Sequence, residues 1–299
     1  MSPAPPPDEL IPPAVRARLK SLRLRARYAV GTQGIGAHAS RSRGSGLEFA
    51  QYRAYEPGDE LRQIDWKLYA RSDRFFVREA ERESPLAVWV LIDASGSMAQ
   101  EDAARPGWSR LAAARAIAAC VIDVALRQGD RIGIATLHED GLRVLPPASS
   151  SRQRDGLRHV LNGLDASGQW PHDARLRPLW ERIRANDLVV LLSDLFDAGA
   201  VEVLTRLAAA RRDVVAIQLL AAEERDFPFE GGRRFRDPET GRELLGDGAA
   251  MRAEFLERFA QAREALHARL DAAGVRHAEY VLDEPLDAPL QQLFGSPRA

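Results

Sequence analysis

The sequence predicts an α/β protein built on a doubly wound, mostly parallel sheet, and three observations carry that reading. Apolar runs at residues 88–92, 188–192 and 214–220 have strand length and do not alternate with polar residues, as suits strands covered on both faces. After the first run, Leu111, Ala114, Ile117, Ala118, Val121, Ile122 and Ala125 recur at helical spacing, so an amphipathic helix covers the sheet. Strand and helix patterns then alternate along the chain, which is the signature of parallel strands joined by helical crossovers.

Taken in order, residues 1–13 form a proline-rich tail expected to be disordered. Residues 14–28 read as a helix with Val15, Leu19 and Leu22 on one side. Its basic residues Arg16, Arg18, Lys20, Arg23, Arg25 and Arg27 suit a solvated face or an acidic partner surface. Residues 31–46 form a Gly/Ser/Arg loop containing Gly34-Ile35-Gly36. No strand precedes it and no Gly-Lys-Ser/Thr follows, so a surface loop is expected rather than a phosphate cradle. Beyond the first helix, 131–137 and 142–145 read as strands around a turn, with His138, Glu139 and Asp140 at an exposed hairpin tip. Helical patterns occupy 153–164, 176–185 and 200–210. Two short strand-like pieces within 233–245 predict a hairpin insertion at about 227–247. A long helix at 249–273 closes on Gly274, and a strand at 277–282 and a helix at 286–294 complete the domain.

With 299 residues, 28% charged and 45% hydrophobic, the chain has the composition of an ordinary globular protein with a substantial core. A formal net charge of −1 argues against a bulk nucleic-acid binder. The single cysteine, Cys120, excludes an intrachain disulfide and a cysteine-rich zinc cage, and its Ala-rich surroundings assign it to packing. The N-terminus does not resemble a signal peptide. No apolar run approaches the roughly 20 residues of a membrane span, and a cytoplasmic protein is expected.

The strand at 88–92 ends abruptly in Asp93-Ala94-Ser95-Gly96-Ser97, and the strand at 188–192 ends in Ser193-Asp194. Ligands of open α/β sheets gather outside the carboxyl ends of the strands, so Asp93, Ser95, Ser97 and Asp194 are candidate metal ligands. Carboxylates and hydroxyls offer only hard oxygen, which favours Mg²⁺ or Mn²⁺ over zinc or copper(I). The plainer alternative is that these residues turn the chain and cap the next helix.

Asp93-x-Ser95-x-Ser97 with the distant Asp194 resembles the metal-ion-dependent adhesion site (MIDAS) of von Willebrand factor type A (vWA) domains, which are Rossmann-like. The resemblance implies that the serines touch the metal, the aspartates act largely through water, and an open position accepts a partner's carboxylate. That pattern also expects a threonine between the two motifs. Here residues 167–176 read Ser-Gly-Gln-Trp-Pro-His-Asp-Ala-Arg-Leu, and Asp173 falls nearest the expected place. Either a carboxylate replaces the hydroxyl or the site is degraded. An enzyme alternative is a metal-dependent phosphohydrolase using Asp93. Haloacid-dehalogenase-like enzymes carry a second Asp two residues later as acid and base, and Ser95 stands there.

A longer motif lies upstream: Arg53-x-Tyr55-x-Pro57-Gly58-Asp59-x-x-Arg62-x-Ile64-Asp65-Trp66-Lys67, followed by Ala70-Arg71. It resembles the signature of the DUF58 proteins, which have a vWA-like domain. The residues themselves suggest a structural Arg/Asp network with aromatic packing. A single-strand nucleic-acid surface spanning Phe49 to Phe76 is the alternative, which the acids interleaved there oppose. Three regions are expected: the tail 1–13, an N-terminal signature region 14–84, and a vWA-like domain 85–299. Genes for DUF58 proteins commonly accompany MoxR-type AAA+ ATPases. The resemblance therefore implies a non-catalytic, metal-dependent adaptor that binds such an ATPase or a client protein through a carboxylate.

Overall fold

A computed structural model describes residues 10–27, 48–56, 59, 64–81, 85–237 and 240–295. The chain divides into two compact units, residues 1–31 with 86–299 and residues 32–85.

In the larger unit six strands form one sheet: β3 (Ala87–Asp93), β4 (Arg131–His138), β5 (Gly141–Ala148), β6 (Leu188–Ser193), β7 (Asp213–Leu220) and β10 (Arg276–Val281), in the order β10-β7-β6-β3-β4-β5. Neighbours run parallel except β5, which returns antiparallel to β4 after a tight turn. This is the doubly wound order. From the central β3 the chain builds outward through β4 and β5, crosses back to β6 on the other side, and builds outward again.

Every residue of β3, β6 and β7 is buried, and alternate residues feed two separate cores. Val88, Val90 and Ile92 pack into one core with α3 (Arg110–Gln128), α4 (Ser151–Asn162) and α9 (Ala288–Phe294). Trp89 and Leu91 pack into the other with α5 (Arg177–Arg182) and α6 (Ala198–Ala209). Each fully buried Val, Leu or Ile contributes about 1.5–3 kcal/mol relative to exposure, so this double-sided burial fixes the strands. The α3 helix is capped at its start by the Ser109 hydroxyl, which accepts from the Ala112 N–H at 3.1 Å, and it ends at Gly129 with φ 80°.

The N-terminal segment belongs to this unit. Helix α1 (Pro13–Arg18) and a 3-10 turn (Leu19–Ser21) are followed by extended chain, so the helix predicted over 14–28 stops at residue 21. The cause is a change of period. Leu22 and Leu24 are buried at alternate positions while Arg23 and Arg25 are exposed, a strand-like spacing that a helix cannot satisfy. Gln128 pairs with both backbone groups of Leu24, its Oε1 accepting from N–H at 2.8 Å and its Nε2 donating to the carbonyl at 3.2 Å. The expected 14–84 region is thereby divided, its first residues joining the main core through Val15, Leu19, Leu22 and Leu24. Ile11, placed by sequence in the tail, is buried there too; residues 1–9 and the 31–46 loop lie outside the described residues.

The predicted hairpin forms as β8 (Gly232–Arg236) and β9 (Glu243–Asp247), after the short α7 (Ala222–Asp226). It leads into α8 (Gly248–Ala272), whose first turn is capped by Asp247 accepting from the Ala250 N–H at 3.0 Å. Of the α8 residues only Gly248 and Leu270 are buried. Phe227, Phe255, Phe259 and Phe196 make a chain of ring contacts along the α8 N-terminal half. Among the described residues no helix is long and apolar enough to cross a membrane.

In the smaller unit β1 (Glu48–Ala54) pairs antiparallel with β2 (Phe76–Glu81), and α2 (Trp66–Ser72) lies between them in sequence.

A candidate metal site at the ends of two central strands

β3 and β6 are sheet neighbours on which the chain winds in opposite directions. The crevice beyond their carboxyl ends is the topological switch point, where this architecture opens a binding site. Asp93 ends β3 and Asp194 follows β6, and each is 2% exposed. Ser95 (2%) and Ser97 (7%) sit in the turn after β3, their hydroxyl oxygens 3.2 Å apart. The sequence motif thus converges, Asp93 and Asp194 lying close enough for each other's charge to be felt.

The two acids are held differently. Asp93 accepts from the Ser193 hydroxyl at 2.6 Å and from the Ser95 N–H at 2.9 Å. Burial, reinforced by the charge of Asp194, pushes its carboxyl up to about 7 against the pull of those two donors. Asp194 accepts from the Phe196 N–H at 3.1 Å and from Arg110 Nη1 at 3.0 Å. Its carbonyl accepts from Gln218 Nε2 at 2.9 Å. Arg110, the first residue of α3, is 2% exposed. Its Nη1 also donates to the Ser97 carbonyl at 2.9 Å and its Nη2 pairs with Glu224 of α7. Glu224 in turn accepts from the Ala221 N–H at 2.9 Å.

Ser193, Arg110, Glu224 and Gln218 did not stand out in the sequence. Two signals existed. Ser193 immediately precedes the strand-end acid, and Arg110 places a positive charge at a helix N-terminus, where the backbone dipole disfavours it.

The 167–176 loop is laid over the serine turn. Gly96 N–H donates to the Gly168 carbonyl at 2.8 Å and Ser167 N–H to the Ala94 carbonyl at 2.9 Å. Gly168 has φ +71°, and a Cβ there would run into the Glu139 side chain. Asp173 opens an exposed 3-10 turn, its carboxylate paired with Arg206 of α6 at 2.5 Å. His138, expected at an exposed hairpin tip, is instead buried and paired with Thr136 Oγ1 at 2.9 Å. Burial, then Arg143, holds its imidazole below the usual value. The reason is that β4 runs one residue further than the apolar pattern shows, which brings His138 into the strand.

The donor chemistry at the strand ends suits a hard divalent cation: two carboxylates and two hydroxyls, with neither nitrogen nor sulfur. Among the described residues no three His, Cys, Asp or Glu side chains cluster as a metal cage. A cation here would therefore rely on the Ser95 and Ser97 oxygens together with Asp93.

The signature residues lie in the smaller unit. Asp65 caps α2, accepting from the Lys67 and Leu68 N–H groups at 2.9 and 3.0 Å and from the Tyr52 hydroxyl at 3.1 Å. Asp59 closes a turn by accepting from the Glu56 N–H at 2.9 Å. Trp66 is 57% exposed and meets Tyr69 and Phe75 edge-on, Tyr55 meets Phe75 likewise, and Arg71 is exposed. Pro57, Gly58 and Arg62, and the side chain of Arg53, lie outside the described residues.

The candidate ligands thus lie buried at the switch point of a doubly wound, mostly parallel sheet. The chain belongs to the DUF58 family, described as "Protein of unknown function DUF58", whose model matches residues 51–265. It is similar to uncharacterized proteins of Mycobacterium tuberculosis strain H37Rv and of Mycobacterium bovis. Each is 28% identical over 271 residues, covering 87% of this chain and 81% of the relative. Among solved structures it is similar to an aerotolerance-related membrane protein from Bacteroides fragilis, at 15% identity and TM-score 0.45, covering 70% of this chain and 96% of that one. It is also similar to the SpRpn10 VWA domain, at 12% identity and TM-score 0.41, covering 72% and 100%. At such scores the fold rests on the sheet order itself.

Proposed function

We propose that this protein is a non-catalytic, metal-dependent protein-binding module, a cytoplasmic adaptor that works with a MoxR-type AAA+ ATPase in assembling or maturing a client complex. The observation that carries the metal reading is the buried pairing at the switch point. Asp93 is held beside Asp194, bonded to neutral donors and next to two hydroxyl oxygens 3.2 Å apart. Ser95, Ser97 and Asp93 would hold Mg²⁺ or Mn²⁺, with Asp194 behind them. The metal would supply an open position for a partner's Asp or Glu. The adaptor role is supported by the family resemblance and by the position of Asp93 and Asp194 at the switch point of the sheet. A phosphohydrolase is disfavoured, because the residue two positions after Asp93 is a serine, which cannot act as acid and base there.

Two measurements test the proposal. Saturating Mg²⁺, a hundredfold over its dissociation constant, is expected to stabilise the protein by about 2.7 kcal/mol, and Asp93→Asn is expected to abolish the increment. Affinity capture from native lysate in Mg²⁺ or in EDTA is expected to yield an AAA+ ATPase or client released by EDTA. Absence of any melting shift with Mg²⁺ or Mn²⁺ overturns the metal reading, and capture indifferent to EDTA overturns metal-dependent binding.

A further inference from the structure

Arg110 gives the candidate site a cation that belongs to the protein. Its guanidinium is buried with the site, 2% exposed, and one nitrogen joins the site's two halves by donating to both the Ser97 carbonyl and Asp194 Oδ2. The other nitrogen faces Glu224, and the Phe196 ring lies 5.1 Å from the guanidinium carbon. With Phe196 N–H on Oδ1, each oxygen of Asp194 has a donor within the protein. Asp93 has the opposite arrangement, since its donors are a hydroxyl and a backbone N–H, both neutral.

A fixed positive charge bonded to one ligand carboxylate acts on an incoming divalent cation in two ways. It repels the ion in a medium of low effective dielectric, and it competes for the Asp194 oxygen. We infer that Arg110 sets how tightly this site takes a divalent cation, holding Asp194 as an internal counter-ion while Asp93, Ser95 and Ser97 carry the direct hold. The inference rests on the metal reading above and assigns Asp194 to positioning. Glu224 has a part in it as well: by drawing the guanidinium towards α7, it limits the grip of Arg110 on Asp194.

The test is Mn²⁺ titration by calorimetry of the full-length wild type and three variants. Arg110→Met alone leaves the buried Asp194 and the half-buried Glu224 without their cation, a change that can cost the fold itself. It is therefore paired as Arg110→Met with Glu224→Gln, which leaves the net charge unchanged and removes the competitor. This double variant is expected to bind Mn²⁺ at least about tenfold tighter than wild type, with Arg110→Lys nearer to wild type because it restores a compact cation. Glu224→Gln alone, which leaves the guanidinium free to turn wholly to Asp194, is expected to weaken Mn²⁺ binding and decides the matter should the double variant not fold.

Equal or weaker Mn²⁺ binding by the double variant overturns the role of Arg110 while leaving a metal site in the wild type. Binding by the double variant but not by the wild type supports the role of Arg110 and overturns the native metal reading. No binding by either overturns both.

Discussion

The ends of β3 and β6 look alike in sequence, an apolar run closing on an acid, yet the protein solves the same electrostatic problem differently at each. Asp194 is given a buried guanidinium, which itself is shared with Glu224. Asp93, equally buried, is given a serine hydroxyl and an amide N–H and keeps its carboxyl raised to about 7. One strand end carries a buried ion pair, and among the described residues the other is bonded to neutral donors. The difference shows that burial of an acid at a switch point does not by itself define a ligand. It matters as well which acid has a positively charged side chain beside it.

The largest expected effect breaks the ion-paired end. Asp194→Ala strips Arg110 of its buried partner and should cost about 3–5 kcal/mol in urea unfolding. Asp93→Ala should cost markedly less in metal-free buffer, since it also removes a repulsion; equal losses would erase the distinction between the two ends.

The second prediction concerns pH. Because the folded protein holds the Asp93 proton up to about 7 against an ordinary value of 3.8, the folded state binds more protons between those limits. The stabilisation from this group is therefore complete below about 4 and is lost as pH rises through about 7. Comparing thermal unfolding of wild type and Asp93→Asn without metal should show the variant gaining relative stability from pH 5 to pH 8, and a flat difference would refute the assignment. Added Mg²⁺ should shrink the pH dependence, because a bound cation favours the ionised carboxylate.

The smallest effect is at Asp173. Its pair with Arg206 is exposed on both sides, 67% and 43%, so Asp173→Ala should change stability by no more than about 0.5 kcal/mol. It should leave Mn²⁺ affinity unchanged. A clear loss of affinity would bring Asp173 into the site and extend the Asp93 end towards the 167–176 loop.

The sheet was legible because strands buried on both faces write themselves as unbroken apolar runs, as at 188–192. Its doubly wound class followed from the alternation of strand and helix, whereas the strand order is visible only in the structure. Asp93, Ser95, Ser97 and Asp194 were legible because strand ends are where polar residues interrupt those runs. Arg110 and Glu224 were not, since each is separated from the motif in sequence and looks, on its own, like a surface residue at a helix start. The end of the N-terminal helix is hidden in the sequence for a different reason. Over residues 14–21 a helical period holds, and the switch to alternation at Leu22 and Leu24 covers too few residues to register as a pattern.

That segment bears on the order of events during synthesis. Leu19, Leu22 and Leu24 leave the ribosome before any strand of the sheet they are buried against, and Arg18 finds its ion-pair partner Asp287, 2.8 Å away, only 269 residues later. A growing chain therefore carries these leucines uncovered at least until α3, whose Arg127 and Gln128 hold this segment, has been made. The closing of the larger unit is a late, long-range event, because its last strand and helix come from residues 276–294.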